Sequence, residues 1–221
     1  MMMFRGFAVL AMALAFLGDP KSACDTTNTL GAPPPAGATV LFSGEDLKEW
    51  VQQDGTTPAK WSVKDGVMTV GAGNIRSKKT FGDIQLHLEF NIPYMPDAHG
   101  QARGNSGVYF GGIYELQVLD SYGLKLQDND CGAIYKQIIP AVNACKPPLQ
   151  WQTYDVTFHK AANGKKARIT VLHNGMKTID NAEIVLTPGG LDLREGEDGP
   201  ILLQDHGNPV QYRNIWVKPL S

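Results

Sequence analysis

Four stretches of this chain put polar pairs on strand-like segments that are otherwise apolar. In "IYELQVLD" (113–120), side-chain alternation places Glu115 and Gln117 on one face and Tyr114, Leu116, Val118 and Asp120 on the other. In "ILLQDHG" (201–207), Gln204 and His206 oppose Ile201, Leu203 and Asp205. "VQYRNIWV" (210–217) sets Gln211 and Arg213 on a face with Ile215, and "DIQLHLEF" (83–90) sets His87 and Glu89 against Ile84, Leu86, Leu88 and Phe90. A solvated outer face explains any one pair taken alone. Solvated faces favour Lys, Glu and Thr, however, whereas Gln, His, Glu and Arg make directional and bidentate hydrogen bonds. On one concave sheet, that chemistry suits a ligand rich in hydroxyl groups.

The elements that must position these groups are strands. Besides the four above, strand patterns run through "ATVLF" (38–42), "WSVKDGVMTV" (61–70), "SGVYFGGIYELQVLD" (106–120, broken at Gly111-Gly112), "YDVTFHK" (154–160) and "ARITVLHNGMKTI" (167–179). Asp65-Gly66 and Asn174-Gly175 are hairpin turns. "SGEDLKEW" (43–50) reads as a turn with one short helical piece, and no long amphipathic helix occurs. The 24 glycines and 14 prolines agree with a turn-rich chain. About ten to twelve short strands imply an all-β fold, a two-sheet antiparallel jelly-roll sandwich, here a single domain over residues 39–221.

The formal net charge of −2 and the lack of a basic run argue against nucleic acid as a partner. Arg5 followed by the apolar run Gly6–Leu17 reads as a secretory signal over residues 1–18, cleaved between about 18 and 24. The chain is therefore expected to be exported: periplasmic, outer-membrane-associated or secreted. "KSAC" resembles a lipoprotein box, with Lys21 where an apolar residue is usual. Lipidation of Cys24, giving a membrane tether, and ordinary cleavage nearby both remain open. Residues 19–38 are Pro/Gly/Thr-rich and read as a linker. In an exported chain Cys131 and Cys145 pair most simply as a disulfide, closing a loop of 13 intervening residues. A two-cysteine metal site is the alternative, without CxxC spacing. No GxSxG, P-loop or dinucleotide fingerprint occurs, which sets aside serine nucleophiles, phosphoryl transfer and nicotinamide binding.

In order along the chain, "LFSGEDLKEW", "WSVKDGVMTV", "GNSGVYF", "YELQVLD", "CGAIYK", "NACKPPLQWQTYDV", "HNG" and "LLQDHGNPVQYRNIWV" span roughly residues 40 to 217. Together they resemble the 3-keto-disaccharide hydrolase family, with its concanavalin A/laminin-G-like jelly roll. The resemblance implies action on glycosides whose C3 has been oxidised to a ketone. The ketone acidifies the C2 proton, so a base near pKa 7 can remove it and the aglycone can leave from C1, provided the enolate oxygen is stabilised.

On that resemblance the catalytic candidates are His206 as base, Glu115 as second acid/base or ligand, and Arg213 as enolate stabiliser or partner of Glu115. Asn105, Gln117, Gln204, His87 and Glu89 are hydroxyl-binding candidates. Asp120 suits turn capping or a rim contact, Lys146 the site rim or, more simply, a solvated surface position, and Trp151 either sugar stacking or the core. His87, Glu89, Glu115 and His206 are suitable ligand types for a divalent metal, without a diagnostic spacing. The loop "NIPYMPDAHGQARG" (91–104) looks like an insertion that forms a lid or rim. The competing reading is a non-catalytic carbohydrate-binding module, since such a fold serves binding as well as catalysis. Binding faces favour exposed aromatics, yet aromatics are only 9% here and titratable groups crowd the candidate face, which favours an enzyme.

Overall fold

The structure, a computed structural model, describes residues 29–220. The expected leader, Cys24 and the first part of the linker lie outside the described residues. Thirteen strands follow one another: β1 (Thr39–Phe42), β2 (Trp50–Gln52), β3 (Ser62–Lys64), β4 (Val67–Thr69), β5 (Ile75–Phe81), β6 (Ile84–Asn91), β7 (Ser106–Phe110), β8 (Tyr114–Val118), β9 (Gln152–His159), β10 (Ala167–His173), β11 (Met176–Ile184), β12 (Gly199–Leu203) and β13 (Gln211–Pro219). The only helical piece among the described residues is a single 3-10 turn, Gly100–Ala102. The short helix expected near residues 43–50 is instead a run of bends that delivers Trp50 into β2.

These strands form two antiparallel sheets. One has eight strands, β11-β10-β9-β6-β13-β4-β3 with β1 beside β13; the other has five, β2-β5-β12-β7-β8. The Asp65-Gly66 and Asn174-Gly175 turns take positive φ at both positions, the twist a two-residue hairpin needs. Alternation then decides the core. Ile84, Leu86, Leu88 and Phe90 of β6 face Val108, Phe110, Leu116, Ile201 and Leu203 of the other sheet's strands, all buried in one cluster. Each such side chain contributes roughly 1.5–3 kcal/mol by leaving water. Tyr212 ties the layers together, donating its hydroxyl to Ser106 Oγ at 2.7 Å.

A β-bulge in β13 corrects one sequence expectation. Arg213 pairs with Glu89 and Trp216 with His87, so three steps on β13 oppose two on β6. The extra residue falls where Asn214 takes a positive φ of 45°. Arg213 therefore points outward while Ile215 turns into the core, and the two do not share a face.

Candidate active site

The residues expected to form one polar face lie on two. Glu115, Gln117, Asn105, Gln204 and His206 meet on the outer side of the five-stranded sheet. They line one pocket of about 120 Å3 together with Gln101, Tyr109, Tyr135 and Pro188. The pairings explain the convergence: Tyr109 lies opposite Glu115 and Gly107 opposite Gln117, while Leu202 of β12 pairs with Tyr109. Three segments wall the floor in. The 91–104 loop brings Gln101, whose carbonyl accepts from Asn105 Nδ2 at 2.7 Å. Residues 132–135 add to the β8 edge through Gln117 N–H to Ala133 O and Tyr135 N–H to Glu115 O. Thr187 takes the Glu115 N–H on its hydroxyl at 3.1 Å and sets Pro188 at the rim.

Glu115 is the chemical centre of this pocket. It is 3% exposed, and no basic side chain pairs with it among the described residues. Burial pushes its carboxyl up to about 7, against a single opposing hydrogen bond from Tyr109. That bond runs from the Tyr109 hydroxyl to Glu115 Oε2 at 2.9 Å. With its amide nitrogen turned toward Glu115, Gln117 also donates to Oε1 at 3.2 Å. Gly107 makes the space: a Cβ there would stand 2.5 Å from Glu115 Oε1. Two buried acceptors nearby, Asn105 Oδ1 and Gln204 Oε1, have no protein partner. His206 is exposed at the pocket edge. As positioned, it reaches the outer part of a ligand rather than the buried floor.

His87, Glu89 and Arg213 sit on the outer side of the other, eight-stranded sheet. Arg213 Nε donates to Glu89 Oε2 at 2.7 Å and its guanidinium stacks 4.0 Å above Trp151, so it is a partner of Glu89 and not of Glu115. His87 Nδ1 lies 2.6 Å from Asp155 and its ring stacks on Trp216. Burial opposes charge on His87, but Asp155 and Glu89 outweigh it and raise its pKa. Burial likewise opposes charge on Glu89, yet His87, Asn214, the Gly31 N–H and Arg213 hold its carboxyl down at about 2. Residues 29–32 lie across this cluster. The Thr29 hydroxyl donates to Asp155 at 2.5 Å, Gly31 N–H to Glu89 at 2.6 Å, and Ala32 O accepts from Asn214 and Trp216. A larger pocket of about 520 Å3 beside it is floored by Glu89 and Arg213. Their groups already satisfy one another, so neither is free to act as an acid or base there.

The remaining expectations also separate. Asp120 caps a turn, accepting from Tyr122 N–H at 3.4 Å, and Lys146 Nζ donates to the Trp151 carbonyl at 3.2 Å; neither lines the Glu115 pocket. Trp151 serves Arg213 as a stacking surface. The four candidate metal ligands divide two and two between the sheets. Among the described residues no group of three or more His, Cys, Asp or Glu is placed to hold an ion. The expected disulfide is not formed: Cys131 and Cys145 are free, buried thiols. The two thiols interact with each other, and Cys131 Sγ also has the Tyr154 hydroxyl at 3.2 Å while Cys145 Sγ lies near the Leu119 and Lys146 carbonyls. Sequence reasoning missed Tyr109, Tyr135 and Gln101. Tyr109 was within reach, because Asn105, Gly107 and Tyr109 share one parity in "NSGVY".

Comparison with known proteins agrees with the all-β sandwich fold. The family described as the 3-keto-alpha-glucoside-1,2-lyase-like domain matches residues 37–218. The chain belongs to this family. A crystal structure from Parabacteroides distasonis, named only provisionally as a glycosyl hydrolase, is 36% identical with a TM-score of 0.75, covering 84% of this chain and 85% of that one. Two further structures from the same organism, named in the same provisional way, are each 23% identical. Their TM-scores are 0.66 and 0.59; they cover 84% and 83% of this chain, and 94% and 99% of their own chains, and they share the fold. A search of curated proteins finds no match.

Proposed function

We propose that this chain cleaves the glycosidic bond of sugars carrying a ketone at C3, by elimination and then hydration, with Glu115 as the base. The observation that carries the reading is a buried carboxyl poised at about 7 in a pocket lined mostly by amides and hydroxyls, with His206 at its edge. A base with that pKa is half ionised at neutral pH and still strong enough to take an activated carbon acid's proton. Membership of the keto-glucoside lyase-like family and the provisional naming of its structural relatives as glycosyl hydrolases support the same chemistry.

The steps balance as follows. Glu115 removes the C2 proton, and the electrons of that C–H bond move into an enolate whose charge rests on the C3 oxygen. The C1–O bond then breaks, the ketone re-forms with a C1–C2 double bond, and the leaving oxygen takes a proton at the pocket mouth, where His206 stands. Water adds back across the double bond, its hydroxyl to C1 and its proton to C2, giving the free keto sugar. Asn105 Oδ1 and Gln204 Oε1, unpartnered in the protein, accept hydrogen bonds from sugar hydroxyls. The pocket is small, about 120 Å3, and open at its mouth, so the aglycone would lie outside it. With a leader over residues 1–18, the reaction would take place after export.

The test incubates the protein with 3-keto-trehalose, 3-keto-lactose and the unoxidised sugars, with and without EDTA, and follows release of free sugar. Release from the keto sugars alone, abolished in Glu115→Gln, is the expected result. The EDTA arm reads whether a divalent ion takes part. Binding of keto sugars without any release would replace the enzyme with a sugar-binding module.

A further inference from the structure

The elimination needs a donor for the enolate oxygen, and Arg213, the residue expected to supply it, stands on the opposite sheet. The Glu115 pocket contains neither Lys nor Arg. We propose that Tyr109 is a second catalytic group, whose hydroxyl hydrogen-bonds the enolate oxygen as Glu115 takes up the C2 proton. This rests on the base role given to Glu115 above, and adds to it the group that receives the charge.

Three features of Tyr109 support the assignment. Its ring is 1% exposed and lies cross-strand from Glu115, so its position is fixed by the β7–β8 ladder. Its hydrogen is aimed: Gln204 Nε2 donates to the phenolic oxygen at 3.3 Å, which leaves the O–H directed at Glu115, 2.9 Å away. The other amide donors of the pocket are engaged: Asn105 Nδ2 with Gln101 O, and Gln117, its nitrogen turned toward Glu115, with Glu115 Oε1 and Ser106 O. Hydrogen bonds to an ionised acceptor are about twice as strong as those to a neutral one. In the free pocket the anion is Glu115. Once Glu115 is protonated the anion is the enolate beside it, and the tyrosine bond follows the charge. Burial and the Glu115 charge push the Tyr109 ionisation well above its usual range, so the hydroxyl donates a hydrogen bond without losing its proton.

The experiment follows exchange of the C2 proton of a 3-keto-disaccharide in D2O by NMR, alongside cleavage, for the wild type, Tyr109→Phe and Gln204→Met. Exchange reports enolate formation separately from departure of the aglycone. In Tyr109→Phe both exchange and cleavage should slow by about 100-fold, the usual effect of removing one oxyanion donor, with KM little changed. A residue that only props up Glu115 would shift the pH profile and leave the plateau rate intact. Exchange at the wild-type rate in Tyr109→Phe overturns the proposal while leaving the base role standing. A wild type that neither exchanges the C2 proton nor cleaves the sugar overturns both; where cleavage outruns exchange, deuterium at C2 of the product and the cleavage rate give the same comparison. Thermal unfolding checks that the Phe variant is folded. Should it not fold, Gln204→Met, which keeps the hydroxyl but frees its direction, must slow exchange several-fold; unchanged exchange there also overturns the assignment.

Discussion

Burial holds the Glu115 carboxyl near neutrality, which predicts a pH-dependent stability that one substitution removes. The carboxyl rises from 4.5 to about 7 on folding. Between those values the folded chain binds more protons than the unfolded one, so stability falls as pH rises through the window and levels off above it. Below it the group is protonated in both states and contributes nothing. At about 1.4 kcal/mol for each pH step, ionising the buried carboxyl costs about 3 kcal/mol above neutral pH. Glu115→Gln keeps the shape and an oxygen for the Tyr109 hydroxyl, but never ionises. Urea unfolding of both proteins at about pH 4 and about pH 8 should therefore show near-equal stability in acid. In base the variant should be more stable by about 3 kcal/mol, a midpoint shift of roughly 1–2 M. His87, Glu89 and the other titrating groups are common to both proteins and cancel in the difference. Parallel stability curves from acid to base would refute the claim that burial sets this carboxyl, and with it the case for Glu115 as base.

Gly107→Ala places a methyl 2.5 Å from Glu115 Oε1 and must displace the carboxyl; kcat should fall by about 100-fold with the fold intact by circular dichroism. Glu89→Ala removes the buried acceptor shared by Arg213, Asn214 and the Gly31 N–H on the opposite sheet, while His87 keeps Asp155; it should cost about 1–3 kcal/mol in urea unfolding. At a temperature where it is folded its kcat/KM should match the wild type, and a large loss would tie the eight-stranded sheet to the chemistry. His206→Ala removes an exposed rim group, so C2 exchange should persist while release of the aglycone slows; loss of exchange would return the base role to His206.

Much of the fold could be read directly from the sequence. Strict alternation in "DIQLHLEF", the Asp65-Gly66 and Asn174-Gly175 turns and the absence of a helical pattern were enough for an antiparallel sandwich. Half of the candidate site was legible too, since "YELQ", "GNSGVY" and "LLQDHG" supply Glu115, Gln117, Asn105, Gln204 and His206 to one pocket. Alternation tells which residues of a strand share a face, but it carries no information about which sheet that strand joins. "HLEF" and "VQYRN" show the same polar parity as "YELQ", yet β6 and β13 pair with each other in the eight-stranded sheet and turn their polar sides the other way. The bulge at Asn214 then breaks even the local parity of β13. What separates Glu115 from His206 is burial, a property of the assembled sheets. His206 is left in solvent, whereas Glu115 is surrounded by segments 101–105, 132–135 and 187–188, and burial raises its carboxyl to about 7. Residue types and order thus determined the sandwich and the stock of polar groups, while strand pairing and desolvation decided which of them can act.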